Sequence, residues 1–149
     1  MVRKSNSSVV KKENETDLSS ETKFVISHPT GNTFVRALLE ELQKNQQLVK
    51  FYTTIGAGSS INPLFKELSQ KREYAIPDGK ISRQWMPELV RLLAKGDQSK
   101  KRKRTDRSYL ALDKKVSSKL TKQDTQVLHA YEDGSYSSFK RAKELGIQC

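Results

Sequence analysis

The predicted fold of this chain rests on the segment Phe24-Val25-Ile26-Ser27-His28-Pro29-Thr30-Gly31-Asn32. Its apolar, β-branched start predicts a short strand, which the turn residues Pro29 and Gly31 bring to an end. Apolar residues then recur at helical spacing, namely Phe34, Val35, Leu38, Leu39 and Leu42. Asn32 stands where an N-cap belongs, because its side-chain oxygen can accept a hydrogen bond from the first helical turn. The segment therefore predicts a strand, a tight loop and an amphipathic helix, the opening unit of an α/β fold.

Strands and helices alternate along the rest of the sequence. Strands are predicted over residues 49–55 and 125–131, with a brief extended piece at 74–77, and helices from Pro63, from Trp85 and over 109–120 and 136–145. Gly146 is expected to end the last helix in a left-handed conformation, after which Ile147 begins an interrupted strand. The alternation predicts an incomplete Rossmann-like, doubly wound parallel sheet with helices on both faces, over residues 23–149. Residues 1–22 are polar with almost nothing to bury, and they are predicted to form a disordered tail.

Length, charge and cysteine content limit which classes of protein and of binding partner are possible. The chain has 149 residues, one domain's worth, and a net charge of +11, which implies attraction to polyanions. Its single cysteine, Cys149, excludes an internal disulfide and favours a reducing, cytoplasmic compartment. No apolar run approaches the ~20 residues of a membrane span, and no apolar segment follows the first residues as in a secretory signal.

A cationic run forms the most basic part of the sequence: Lys100, Lys101, Arg102, Lys103 and Arg104. It is predicted to lie in a loop between two helices, where it has three interpretations. The loop is simply solvated, or it contacts anionic headgroups as a peripheral element at the inner face of the membrane, or it binds nucleic acid. No aromatic residue interleaves with the run before Tyr109, so base stacking is not provided for. A small basic α/β module that binds nucleic acid or anionic membrane is therefore one hypothesis for function.

A second loop is predicted to lie at the same edge of the sheet as the first and to form a crevice with it. His129-Ala130-Tyr131-Glu132-Asp133-Gly134 follows a predicted strand, as the loop that starts at His28 does. Ligands of open α/β sheets bind beyond the carboxyl ends of the strands, so two imidazoles and two carboxylates are expected to converge there: His28, His129, Glu132 and Asp133. The structural alternative is that His129 is a core histidine and Asp133 caps the next helix. The sequence has no His/Cys cluster with metal-ligand spacing, no nucleophile elbow and no dinucleotide fingerprint.

Both loops resemble a bacterial branch of glycosyltransferase family 4. The resemblance is carried by residues 24–32 with Val35-Arg36-Ala37-Leu38, and by residues 127–134 with Ser138-Phe139 and Ala142-Lys143-Glu144-Leu145-Gly146-Ile147. It covers Lys23 to Cys149, and the cationic run is its least similar part. It implies the N-terminal half of a GT-B fold, the acceptor-side portion of a retaining enzyme that moves a sugar from a nucleotide-sugar to an acceptor. Such enzymes bind no metal or resident cofactor through the protein, and the nucleotide-sugar is their co-substrate.

The resemblance also implies roles for individual residues. The loop Thr30, Gly31 and Asn32 would lie against the donor phosphates, and His129 would contact the transferred sugar as the catalytic residue. His28, Glu132 and Asp133 would be further substrate contacts. In the family the donor nucleotide is held mainly by a C-terminal domain that this sequence does not contain. The chain alone is therefore expected to be inactive and to need a separate C-terminal half.

Overall fold

The structure, a computed structural model, describes residues 22–54, 73–93 and 97–149. It contains the following strands and helices, in chain order: β1 Phe24–Ser27, α1 Thr33–Lys44, β2 Leu48–Thr53, β3 Ile81–Arg83, α2 Trp85–Leu93, α3 Gln98–Lys119, β4 Val127–Ala130 and α4 Tyr136–Leu145. Short 3₁₀ turns at Asp78–Lys80 and Glu132–Gly134 lie between them. The predicted tail up to residue 21, the end of the second predicted strand at Ile55 and the helix predicted from Pro63 lie outside the described residues.

The four strands form one parallel sheet in the order β3-β2-β1-β4. Strand β1 is central, so Ile26 lies beside Phe51 of β2 on one side and His129 of β4 on the other. The chain builds outward from β1 to β3 and then returns to add β4 on the opposite side of β1. The winding direction therefore reverses between β1 and β4, which is the topological switch point of a doubly wound sheet.

Alternating residues of β1 face two separate cores. Ile26 packs under α1 in a cluster with Val35, Leu39, Leu42, Leu48, Phe51, Tyr74, Ile76 and Ile81. Val25 packs on the opposite face, under α3 and α4, with Tyr52, Leu112, Val116, Leu120, Leu128, Ala142 and Ile147. Both faces of the sheet are therefore covered by helices, as is usual for parallel sheets. The predicted α/β class, parallel sheet and two-sided helix packing are confirmed.

Two predicted elements are wrong. Residues 74–77 contain no strand: the chain bends at Ala75 and Ile76, Tyr74 and Ile76 are buried, and the strand forms later, as β3. The cationic run is not a loop but the first turns of α3, which begins eleven residues before the apolar periodicity that starts at Tyr109. Asp97 caps that helix by accepting from the Lys100 N–H at 2.8 Å, and Lys, Arg and Gln are all good helix formers. Within the described part of the chain, no helix has the length and apolar content to cross a bilayer.

The last residues behave largely as their sequence predicts. Gly146 ends α4 with φ of +69°, the left-handed stop that was expected. Ile147 is buried in the core beneath α3 and α4, and Gln148 forms a single parallel bridge to Val127. The interrupted strand predicted from Ile147 is therefore a single β-bridge beside the edge strand β4.

Candidate functional site

The site predicted from the two loops is the opening between the carboxyl ends of β1 and β4, here called the switch-point crevice. After β1 the chain turns to α1 on one face of the sheet, and after β4 it turns to α4 on the other face. The Tyr131 N–H donates to the Ser27 carbonyl at 2.9 Å, so the two chains stay paired just past the strands before they separate. Diverging loops above a paired base create the crevice in which such sheets bind ligands.

His28 organises the first loop. Its ring is buried, and its Nδ1 accepts hydrogen bonds from the Gly31 N–H at 2.8 Å and the Thr30 N–H at 3.2 Å. Those two donors assign the proton of the neutral ring to Nε2. Burial lowers the pKa of His28 below its ordinary value of 6.5, and the nearby charge on His129 lowers it further. At neutral pH, His28 is therefore an uncharged group with a single ring N–H to donate.

The carbonyl groups of the same loop are held by two other segments. The Pro29 carbonyl accepts from the hydroxyl of Thr53 at 3.1 Å, the hydroxyl of Thr54 at 2.5 Å and the Thr54 N–H at 3.2 Å. The Thr30 carbonyl accepts from the Tyr74 hydroxyl at 3.1 Å. With its N–H groups on His28 and its carbonyls on these residues, the loop is a rigid wall of the crevice.

Gly31 is required by this packing. It is buried with φ of +59°, and a Cβ there would lie 2.4 Å from the Tyr74 hydroxyl oxygen. Left-handed backbone is costly for a residue with a side chain, and the clash adds to that cost. The sequence-based hypothesis placed Gly31 where the backbone approaches phosphate, whereas its immediate neighbour in the structure is a tyrosine ring.

Tyr131, directly after β4, packs against the first loop. Its ring meets the His28 ring edge-on with centroids 5.0 Å apart, and the Tyr109 ring at 5.9 Å. Its hydroxyl donates to Asp133 at 3.0 Å, and this hydrogen bond, followed by the charge of Asp133, raises the pKa of Tyr131. His129 is exposed, in register with Ile26 and thus on the sheet face of His28. His129 is not a core histidine.

The remaining predicted site residues serve different roles. Asn32 is the N-cap of α1, as predicted, and accepts from the Val35 N–H at 2.9 Å. Glu132 and Asp133 are exposed on the turn after β4, and Asp133 does not cap the following helix. The exposed cations from Lys100 to Lys103, with half-buried Arg104, lie on α3 and form a separate surface.

The helix cap expected of Asp133 is supplied by Asp113 of α3. Asp113 is 1% exposed, and its two carboxylate oxygens accept from the N–H groups of Ser137 at 2.7 Å and Ser138 at 2.8 Å. Sequence analysis missed this residue, since its partners lie 24 and 25 positions away. The only signal in the sequence was that Asp113 stands next to the buried apolar residues of its helix. An unpaired charge at such a position would be very costly.

These contacts decide where an anion could bind. The first turn of α4 is occupied by Asp113, and the Thr30 and Gly31 N–H groups are occupied by His28. At α1, by contrast, the N–H groups of Thr33 and Phe34 have no acceptor among the described residues. The positive end of α1 is thus the helix terminus that keeps free donors beside the crevice.

Comparisons with known proteins were also made. A scan against protein-family models and searches of curated proteins and of solved structures all returned no match. Among the residues that the structure describes, no group of three or more His, Cys, Asp or Glu side chains could hold a metal ion.

Proposed function

We propose that this chain is the acceptor-side half of a retaining glycosyltransferase, and that its switch-point crevice receives the sugar end of a nucleotide-sugar. The observation that carries the proposal is the gathering of His28, His129 and Tyr131 between β1 and β4. That is the position at which doubly wound sheets bind ligands. The ligand class is supplied by the resemblance of the two loops to family 4 glycosyltransferases.

The proposed chemistry needs hydrogen bonds to sugar hydroxyls and stabilisation of a leaving diphosphate. Exposed His129 can bind a hydroxyl of the transferred sugar, and the His28 ring can donate through Nε2. As the bond between sugar and diphosphate breaks, negative charge grows on the leaving oxygen. Free N–H donors at the start of α1 suit that charge, so the proposal assigns the phosphate contact to Thr33 and Phe34. Thr30 and Gly31 hold the shape of the wall.

Exposed aromatic side chains at the rim support the same use of the crevice. Phe34 in the first turn of α1 is 71% exposed, and Tyr136 at the start of α4 is 80% exposed. Large apolar side chains in solvent beside a polar crevice are typical of a ligand site or an interface. In this proposal they meet the sugar or the second, donor-binding lobe of such enzymes. Without that lobe we expect no transfer, because the two lobes together complete the site.

The test is to join residues 1–149 to the donor-binding lobe of a complete enzyme of the resembled family and to measure sugar transfer. We expect activity in the fusion, and we expect His129→Ala to lower turnover roughly ten- to two-hundred-fold. This is the effect of losing a hydrogen bond of ~1.5–3 kcal/mol that strengthens in the transition state. Lys140→Ala, an exposed change on α4, is the matched control and should leave turnover unchanged. An active fusion whose rate is unaffected by His129→Ala would overturn the assignment.

A further inference from the structure

A surface outside the crevice combines positive charge with exposed apolar side chains. Between Gln98 and Arg107, α3 carries six basic residues and one acidic residue, Asp106. The basic residues are Lys100, Lys101, Arg102, Lys103, Arg104 and Arg107. All of them except Arg104 are exposed. Because this segment is helical, Lys100, Lys103 and Arg107 follow one another at three- and four-residue spacing along one face.

The neighbouring helix α2 exposes the apolar part. Trp85, Met86 and Val90 are 53%, 54% and 55% exposed, and Met86 and Val90 lie one turn apart on the same face. Glu88 fixes α2 to α3: its buried carboxylate accepts from the Ser108 hydroxyl at 3.1 Å and pairs with Arg91 through two contacts of 2.7 Å. The basic and apolar side chains therefore belong to one unit, here called the α2–α3 hairpin (residues 85–93 and 97–108).

The hairpin projects from the carboxyl edge of the sheet. Tyr109 marks the level of that edge, since its ring contacts Tyr131 directly after β4. Beyond Tyr109, α3 runs down the sheet through Leu112, Val116 and Leu120. The eleven residues before it rise about 1.5 Å each, so this basic part of α3 is about 16 Å long.

The charge pattern at the start of α3 is unfavourable for the helix itself. Like charges three and four residues apart on a helix repel, and cations at a helix N-terminus oppose its dipole. Lys100, Lys101, Arg102 and Lys103 form no ion pair with any residue in the described ranges. An arrangement that disfavours the helix, with no compensating ion pair to Lys100–Lys103 among the described residues, is typical of a binding surface.

We propose that the α2–α3 hairpin docks on an anionic lipid bilayer. The cations of α3 would meet the headgroups, while Trp85, Met86 and Val90 enter the headgroup boundary. Tryptophan is enriched at membrane interfaces, and basic residues beside an apolar face are typical of interfacial helices. A nucleic acid would satisfy the cations but leave Met86 and Val90 in water, because neither side chain has a ring on which a base can stack. This inference does not depend on the proposed function.

The experiment uses the full chain, whose only tryptophan is Trp85. Its emission is recorded while vesicles of phosphatidylglycerol and phosphatidylcholine, or of phosphatidylcholine alone, are added. We expect a blue shift, and quenching by brominated acyl chains, with the anionic vesicles only. Binding should weaken steeply as salt rises, because the Debye length falls from ~10 Å at 0.1 M to ~3 Å at 1 M.

Variants separate the two parts of the surface. Changing Lys100, Lys101, Arg102 and Lys103 to Gln should weaken vesicle binding about a hundredfold or more, since each cation contributes roughly fivefold. The thermal midpoint of that variant should stay the same or rise, because repulsion is removed. The matched control changes four exposed cations elsewhere to Gln, with the same loss of charge: Lys122, Lys140, Arg141 and Lys143. The control should weaken binding far less, and Met86→Ser with Val90→Ser should abolish the blue shift.

Several results would overturn the proposal. One is an equal loss of binding in the control variant, which would show that net charge alone matters. Another is a Trp85 that is already blue-shifted and protected from acrylamide before vesicles are added, because another part of the chain would then cover the apolar face. A third is tighter binding to a DNA duplex than to anionic vesicles, with the emission of Trp85 unchanged.

Discussion

His28 illustrates how a residue that the sequence places at the predicted sheet edge can have a further, structural role that only the structure shows. The sequence-based hypothesis gave it a substrate contact. In the structure its Nδ1 closes the β1 loop on itself by accepting two backbone N–H groups, which leaves only Nε2 to face a ligand. Protonation at Nδ1 would displace both donors. The loop is therefore coupled to the protonation state of the ring.

This coupling predicts acid sensitivity. The pKa of His28 is lowered in the folded chain, by burial first and then by the charge on His129. Between that lowered pKa and 6.5 the unfolded chain binds more protons, so the contribution of His28 is complete above about pH 6.5 and is lost as the pH falls below it. The slope is at most about 1.4 kcal/mol per pH unit. Urea unfolding from pH 7 to 5 measures it.

His28→Asn is the matched variant, because the side-chain oxygen of Asn can accept the same two N–H groups and does not titrate. We expect this variant to lose the part of the pH dependence that His28 causes. If both proteins lose stability equally between pH 7 and 5, the acid sensitivity comes from other groups.

At the scale of elements, α4 depends on a carboxylate from another helix. Asp113 accepts from the second and third N–H groups of α4, which replaces the local cap that Ser135 does not provide. We expect Asp113→Ala to lower the free energy of unfolding by about 2–4 kcal/mol, since two buried donors lose a charged acceptor. Denaturant unfolding gives the free energy, and hydrogen exchange should show faster exchange at the Ser137 and Ser138 amides.

Asp106→Ala is the control for this prediction. It removes the same charge from the same helix at an exposed position, so we expect a change within about 0.5 kcal/mol. If Asp113→Ala costs no more than Asp106→Ala, the two hydrogen bonds do not stabilise the fold as the geometry implies.

The elements that sequence predicted correctly have their own local signals. β1 and α1 have clear apolar periodicity with a cap at Asn32, and α4 has its glycine stop. β3 has only three residues, too few for a period to emerge. The start of α3 has no apolar periodicity of its own, because it is supported by α2 instead of the sheet. The cationic run at the start of α3 was therefore wrongly predicted to be a loop.

The candidate site, too, was only partly predictable from the sequence. Alternation of strands and helices was enough to bring the loops at His28 and His129 to one edge of a parallel sheet. The contacts that shape the crevice could not be predicted, since Tyr109 and Tyr131 meet across 22 positions and Tyr74 reaches Thr30 across 44. Such contacts arise from packing between elements, for which no local pattern exists.

At the scale of the whole molecule, the two edges of the sheet differ. The exposed large apolar side chains of the described residues lie at or beyond the carboxyl edge: Phe34, Trp85, Met86, Val90, Leu110 and Tyr136. Five of them begin helices that leave that edge or lie on the α2–α3 hairpin, and Leu110 follows Tyr109 at the level of the edge. The opposite edge consists of polar turns around Gln46 and residues 121–126. Under both proposals, partners would therefore approach the molecule from the side of the crevice.

The last prediction concerns orientation on a membrane. Amines are acetylated with and without anionic vesicles, and each lysine is quantified by mass spectrometry. Docking through the hairpin should protect Lys100, Lys101 and Lys103 severalfold, because headgroups would cover them. Lys44 ends α1 and Lys122 precedes β4, so both lie at the opposite edge and should be labelled equally in both samples.

Protection of Lys44 and Lys122 instead would reverse the orientation, and uniform protection would mean that binding has no preferred face. With the expected pattern, the switch-point crevice opens within about 16 Å of the bilayer surface, the length of the basic part of α3. Under the proposed function, a crevice held at that distance would suit an acceptor that is itself anchored in the membrane. Sugar transfer by a fusion with a donor-binding lobe should then be faster to an acceptor in anionic vesicles than to the same acceptor in neutral ones.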